Sequence, residues 1–312
     1  MEEKSFTVEN AKVRLDSAIA EQFKDVSRSR IQKDIQSGCV SVDGKKIFEN
    51  KYIVKIGEKI VYEYSGEQKF AATGMNIPIL FENNDLIIVD KPAGIPVHPA
   101  PGYKGPTLID ELLLTHPEIQ MIGEDIKRPG IVHRLDKDTS GAMLIAKNQI
   151  AFEHLKDAFA THKVKKEYMA LVCGNLTENH GFINTPIGRH PTDFRKMTAK
   201  NPKEAKESST EFFVEAHYIF SPTEQKVDEY TQIKVKLHTG RTHQIRVHMA
   251  SLGFPLAGDS LYGKKHYIIP ELHRQFLHAQ SIEVQLPDSA WIEAKSELPQ
   301  DLRKVLDSLK KI

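Results

Sequence analysis

The densest run of groups able to do acid–base or nucleophilic chemistry is Arg128-Pro-Gly-Ile-Val-His-Arg-Leu-Asp-Lys-Asp-Thr-Ser-Gly141. A turn leads into a short apolar pair and then a polar loop that runs directly into the apolar stretch Ala142 to Ala146. Polar side chains this close to a strand mark either a site or a solvated turn. For Asp138, Thr139 and Ser140 the turn is preferred, because short polar side chains cap backbone groups. Asp136 fits a turn less well. It stands beside Leu135 and near Arg134, Lys137 and Asp138, where burial would raise its pKa and a cationic partner would lower it. An ionised carboxylate in such a place can attack carbon, stabilise developing positive charge or move a proton.

Two further segments carry chemistry. Lys163-Val-Lys-Lys-Glu-Tyr168 sets three lysines ahead of an aromatic ring at the start of a strand. A strand tyrosine beside a solvated basic turn is the plainer account and is favoured for this segment alone. The functional account stacks a base on Tyr168 and sets Lys165 and Lys166 on phosphates. Leu237-His-Thr-Gly-Arg-Thr-His-Gln-Ile-Arg-Val-His248 combines a tight turn at Gly240 with a helix that Thr242 can cap. Arg241, at the helix entrance, can reach a neighbouring carboxylate in a bidentate pair. His238, His243 and His248 recur every five residues, not at the i, i+4 interval of a helical zinc pair, and no HExxH run accompanies them. Capping or RNA contact is therefore favoured over a metal. Neither GxGxxG nor a P-loop pattern occurs around Gly102 and Gly105, so nothing supports a nucleotide cofactor.

These segments need elements to hold them. From Pro78 onward, Leu86 to Val89, Ala142 to Ala146, Tyr168 to Val172, Ile233 to Leu237 and Ile282 to Val284 read as strands. Leu108 to Leu114, Ile150 to Ala160 and Thr242 to Leu252 read as helices, the last closed by Gly253. Nearer the start, Leu15, Ala18, Ile19 and Phe23 share a helical face, Ile31 and Ile35 repeat it after a cap at Ser27, and strands flank an Asp43-Gly44 turn. The expected organisation is α+β: a small domain at 1–65, a polar linker at 66–76, a larger mixed domain at 77–290 and a helical tail at 291–312 with Leu302, Val305, Leu306 and Leu309 on one stripe.

Composition agrees with that size. A chain of 312 residues with 40% hydrophobic content can bury a real core and suits one large and one small domain. With 43 Lys+Arg against 42 Asp+Glu, the overall charge does not point to a nucleic-acid partner, so such a signal must be local. Cys39 and Cys173 lie far apart without metal-ligand spacing, which speaks against a disulfide framework or zinc and for a reducing cytoplasm. The charged start and short apolar runs give no expectation of a signal peptide or membrane span.

Five motifs in order resemble the pseudouridine synthases of the ribosomal large-subunit (RluA/RluD) type. They are Asp90-Lys-Pro92 with Gly94 and Val97-His-Pro99, His133-Arg-Leu-Asp136 with Thr139-Ser-Gly141, Lys166-Glu-Tyr168, Thr239-Gly-Arg-Thr-His-Gln-Ile-Arg246 and Gly258-Asp-Ser-Leu-Tyr-Gly263. The second is highly specific, whereas the Lys-Glu-Tyr and GDxxYG pieces are weak alone. Arg14-Leu-Asp16, Ser27 to Ile31 and Gly38 to Gly44 resemble an S4 RNA-binding domain.

The resemblance implies a pseudouridine synthase fold, with a mixed, mainly antiparallel sheet and flanking helices, plus a small α+β S4 domain. It implies RNA as partner, 23S ribosomal RNA or its large-subunit precursor by analogy, and neither cofactor nor metal. Such an enzyme breaks the N1–C1′ bond of a flipped uridine, rotates the uracil and joins C5 to C1′. Asp136 takes the central role, as nucleophile or as a base toward the sugar. Tyr168 is implied as stacking platform and candidate base toward C5, Arg241 as the partner of Asp136, and Arg134 and His133 as contacts to the displaced strand or its phosphates. A paired-acid glycosidase needs a second carboxylate across the ring, which Asp138 is too near in sequence to supply. In the S4-like part, 12 Lys+Arg against 11 Asp+Glu up to residue 64 leave little net charge, but Arg28, Arg30 and Lys33 cluster at one helix as RNA-backbone contact requires. A monomer is expected. The main rival is an RNA-binding protein that keeps the fold without activity, which the joint presence of Asp136, Tyr168 and Arg241 disfavours. A metal-dependent hydrolase is the other.

Overall fold

A computed structural model of the chain describes residues 2–9, 13–23, 26, 28–64, 72–99, 103, 105–125, 127–223, 226–263, 267 and 269–312. Ser27, expected to cap a helix, and residues 65–71, expected in the linker, fall outside that set, as does the side chain of Arg30. The chain divides into two units. One comprises Met1–Asn76, His98–Ile131 and Ala146–Glu153, the other Ile77–Val97, Val132–Ile145 and His154–Ile312. The segments 98–131 and 146–153 thus group with the N-terminal residues, although they lie inside the span 77–290.

In the first unit an antiparallel sheet runs in the order Glu2–Thr7, Lys59–Tyr64, Val40–Val42, Lys45–Lys46. The helices Leu15–Gln22 and Arg28–Gln36 supply Leu15, Ala18, Ile19, Ile31 and Ile35 to one core with Ile60 and Tyr62, as the helical period requires. Asp43 and Gly44 both have positive φ, 48° and 81°, the two-residue hairpin geometry their types favour. The strand Glu2–Thr7 had no sequence signal, since its residues are largely polar and its pairing with Lys59–Tyr64 is made by backbone. The last part of the expected linker is pinned. The buried Glu111 carboxylate, on helix Leu108–Thr115, accepts hydrogen bonds from the Thr73, Gly74 and Met75 amides and the Thr73 hydroxyl.

The second unit is built on a ten-stranded sheet. Its path is His180–Asn184, Ser209–Thr223, Lys226–Leu237, Lys165–Cys173, Leu277–Gln285, Ser140–Ala146, Leu86–Lys91, Ile79–Glu82. Where registers are defined the neighbours are antiparallel, except Leu277–Gln285 beside Ser140–Ala146, which run parallel at His278↔Ser140 and Ala279↔Gly141. Ser140–Ala146 is buried along its whole length, which accounts for its unbroken apolar run. Two short strands differ from the expected helical tail: Trp291–Lys295 pairs with Leu277–Gln285, and Lys310–Lys311 with Ser209–Thr223. Only Gln300–Ser308 is helical there, burying Leu302 and Val305. Trp291–Lys295 closes a hairpin on the strand just before it, whereas Lys310–Lys311 pairs with a strand far away in sequence. Among the described residues, no helix is long and apolar enough to cross a membrane.

Candidate active site

A cavity of about 460 Å³ opens in the second unit, within the usual size of small-ligand pockets. Its wall joins the loop through Asp136, the strand bearing Lys166 and Tyr168, and residues 240–246 at the start of helix Gln244–Ser251. The three segments singled out in the sequence therefore meet.

The loop carrying Asp136 is fixed from behind. Gly141 has φ 117°, and a Cβ there would lie 2.2 Å from the Ala279 carbonyl oxygen, so only glycine lets the two parallel strands approach. Lys91 is fully buried, and its Nζ donates to the carbonyls of Pro92, Ile95 and Lys137 at 2.8, 2.9 and 3.0 Å. Burial lowers its pKa to about 7 against the pull of Asp138 and Asp136. Thr139 and Ser140 do not cap a solvated turn. The Ser140 hydroxyl bonds His278 Nδ1 at 3.0 Å, Arg274 donates to it and to the Asp138 carbonyl, and Gln275 donates to Thr139.

Asp136 is 17% exposed, and Arg246 Nη1 donates to its Oδ2 at 3.1 Å. Arg246 in turn forms a bidentate pair with the fully buried Asp259, at 2.7 and 2.9 Å, and lies over the Tyr262 ring. Burial pushes the Asp259 carboxyl up, but the Arg246 hydrogen bonds and the Leu261 and Tyr262 amides more than reverse this and hold it below the usual range. Burial disfavours the Arg246 cation, yet its carboxylate partners raise its pKa further. One guanidinium between two carboxylates thus orients Asp136. The GDxxYG stretch builds this frame: Gly258 has φ 72°, and a Cβ at Gly263 would lie 2.2 Å from the Asp259 carbonyl oxygen.

Arg241 was expected beside Asp136, and Arg246 stands there instead. Arg241 Nε donates to the Glu207 carbonyl at 3.0 Å, because Arg241 lies in the turn before the helix whereas Arg246 projects from the helix itself. Thr242 does not cap that helix. His243 occupies the N-cap position with left-handed φ 56°, and the buried Gln244 side chain accepts from the Thr239 hydroxyl and Arg241 amide. His243 Nε2 is 4.0 Å from Asp136 Oδ1, and its Nδ1 is 2.9 Å from the Tyr262 hydroxyl.

Tyr168 is buried at the cavity wall, and burial followed by the nearby Asp136 charge raises its pKa well above the ordinary phenol value. Lys166, also buried in the wall, lies over the Phe159 ring, and burial lowers its pKa to about 8. His133 differs from its expected role as a phosphate contact. Burial and the adjacent Lys166 lower its pKa to about 3, its ring stacks on Phe159, and its Nε2 accepts the Leu144 amide at 2.9 Å. A neutral imidazole with its lone pair engaged is a wall, not a cation. Arg134 is exposed at the cavity. Lys165 falls on the other side of the strand from Lys166 and Tyr168, pairs with Glu283 at 2.8 Å and lies over Trp291, as strand alternation dictates.

In the first unit Arg28 is half-exposed, and it and Arg14 both donate to the buried Asp16, which also accepts from Gln32. Lys33 is exposed, 4.0 Å from Glu124.

The family model for RNA pseudouridylate synthase matches residues 85–251, over half of the chain and the whole lining of the cavity from Val132 to Arg246. The chain belongs to this family. As a member, the protein is an RNA pseudouridine synthase. An S4 domain model matches residues 13–60 of this synthase. An uncharacterised RNA pseudouridine synthase of Aquifex aeolicus is 41% identical to it over 268 residues, covering 85% of this chain and 82% of that protein. The ribosomal large subunit pseudouridine synthase D of Yersinia pestis is 36% identical over 311 residues, covering 95% and 91%. Among solved structures, human RNA pseudouridylate synthase domain containing 1 aligns with a TM-score of 0.63 at 26% identity, covering 77% of this chain and 91% of that one. The α+β architecture and mainly antiparallel sheet of the synthase agree with that likeness.

Proposed function

We propose that this synthase modifies large-subunit ribosomal RNA, and that Asp136 is the carboxylate that acts at the sugar of a uridine flipped into the cavity. The observation that carries the site assignment is the ionic frame Asp136–Arg246–Asp259 at the cavity wall. It keeps one carboxylate oriented and partly open to a ligand, which is what a nucleophile or sugar-directed base needs. The target must leave its stack, at a cost of a few kcal/mol, before any protein carboxylate reaches C1′. Tyr168 offers an aromatic surface for the flipped base, and Arg134 and Lys166 offer cations for the phosphates around it. Arg241 is assigned to shaping the turn before the helix and not to charge-pairing with Asp136.

The ribosomal target is favoured by the Yersinia pestis relative's name and by the S4 domain match. Residues 1–65 are read as the RNA-binding domain, joined through 66–76 to a catalytic domain at 77–290, in a monomeric cytoplasmic enzyme. Arg28 and Lys33 contact the RNA backbone, with Arg28 held in place by Asp16. The test is to map pseudouridines in ribosomal and transfer RNA from cells with the gene, without it, and with Asp136→Asn. Large-subunit sites should vanish in the last two. Loss confined to transfer RNA contradicts the substrate, and sites retained with Asp136→Asn contradict the carboxylate.

A further inference from the structure

We propose that Tyr262 is a positioning residue that links a basic arm, residues 187–206, holding the RNA backbone, to the arginine that orients Asp136. The proposal rests on Asp136 being the acting carboxylate.

The arm is a small sheet of its own. Met197–Thr198, Ile187–Arg189 and Lys203–Lys206 pair in that order, apart from the ten-stranded sheet. Gly188 permits this close pairing, because a Cβ there would lie 2.1 Å from the Lys203 carbonyl oxygen. Both roots of the arm are held by the segment that carries Arg246. His248 Nε2 donates to the Thr185 carbonyl at 2.8 Å, and Arg241 Nε to the Glu207 carbonyl at 3.0 Å.

The whole chain is close to neutral, yet residues 187–206 hold six Lys+Arg against two Asp+Glu. Lys200, Lys203 and Lys206 are exposed. Phe194, 81% exposed, stands in a turn where Asp193 pairs with Arg195 and the Phe194 carbonyl accepts from Arg189. Cations for phosphates beside an aromatic face for an unstacked base are the equipment of sequence-tolerant contact with single-stranded RNA.

The arm reaches the catalytic frame at Met197, whose amide donates to the Tyr262 oxygen at 2.9 Å. The Tyr262 ring lies against the Arg246 guanidinium, 5.2 Å from its centroid to the guanidinium carbon. Asp259 holds the guanidinium along the edge formed by Nε and Nη2, which leaves Nη1 to donate to Asp136 at 3.1 Å. With one edge fixed, the tilt of the plane, and so the place of Nη1, is set by the ring packed on it. Tyrosine does both tasks, since its face attracts the cation and its oxygen accepts the arm's amide. Phenylalanine would keep the first contact and lose the second. Because misplacement of a reacting group by about 1 Å costs on the order of 10²-fold in rate, RNA held on the arm bears on turnover as well as on affinity.

The experiment uses the full-length enzyme and an in-vitro RNA transcript that the native enzyme converts. It reads the single-turnover rate at saturating RNA, the dissociation constant and the melting midpoint. The variants are Tyr262→Phe, a combined Lys200→Gln, Lys203→Gln and Lys206→Gln, and both together. Tyr262→Phe should lose about tenfold in rate, with RNA affinity within about twofold of native and the same midpoint. The lysine variant should bind RNA at least about tenfold more weakly, with the slope of log affinity against log salt reduced by about two. Its saturated rate should fall about fivefold in the native background and less than about twofold in the Tyr262→Phe background, a dependence that a side chain merely filling space would not produce. Equal rate losses in the two backgrounds overturn the proposal, as does a Tyr262→Phe rate within twofold of native. A native saturated rate in the lysine variant overturns it whatever the stability of Tyr262→Phe. Asp136→Asn in parallel separates the two ideas: if it converts RNA, the assignment of Asp136 fails, and if it is inert while the rate losses add, only the link through Tyr262 fails.

Discussion

At the residue scale, the site turns on one arginine serving two carboxylates. Arg246→Lys keeps a charge but cannot bridge Asp136 and Asp259 with a planar fork, and kcat should fall by about 10²-fold, the usual loss when one preorganised donor is removed. Arg241→Gln, which gives up a hydrogen bond to a carbonyl, should cost far less, and steady-state kinetics of the two variants compare them directly. Both arginines sit in one motif, and the sequence does not rank them: the helix begins two residues after Thr242, so Arg246 faces inward from its first turn while Arg241 stays in the preceding turn. The signal that could have found Arg246 is Asp259, since an acid that cannot remain buried alone needs a cation. Lys166 offers a pH test. Its folded pKa of about 8 means that its charge is present below pH 8 and lost above it, so RNA affinity should weaken between pH 7 and 9, and Lys166→Gln should flatten that trend in binding titrations.

At the element scale, the loop that carries Asp136 is held where it enters strand Ser140–Ala146. Gly141→Ala would drive a methyl into the Ala279 carbonyl and add left-handed strain, and denaturant melts should register a loss of at least about 3 kcal/mol. The TSG run was legible as a loop entering a strand, but not the reason for its glycine, which lies in a strand more than a hundred residues away. His133 belongs to the same wall. Its pKa is near the ordinary 6.5 when unfolded and about 3 when folded, so the unfolded chain binds the extra proton as pH falls below 6.5. Stability present above that pH should therefore decline on acidification, by about 2 kcal/mol between pH 6.5 and 5. Melts of the native protein should show this slope, and His133→Gln should lack it.

At the scale of the whole molecule, the fold class and most strands and helices could be read from periodicity, because their apolar faces are local patterns. The order of the large sheet could not, nor could the strands Lys310–Lys311 and Glu2–Thr7, because those pairings are backbone bonds between distant segments. In the S4-like unit Arg28 shares Asp16 with Arg14 and stays half-exposed. If it contacts phosphate, Arg28→Gln should weaken RNA binding evenly across sequences and reduce the slope of log affinity against log salt by about one.

The central claim, that Asp136 held by Arg246 acts at the uridine sugar, is tested most directly with purified full-length enzyme and a target RNA. Native enzyme and Asp136→Asn are compared for pseudouridine formed in a single turnover and for RNA bound. The structure predicts native-like binding with no detectable pseudouridine from the variant. Conversion by Asp136→Asn at a rate comparable to the native enzyme would contradict it.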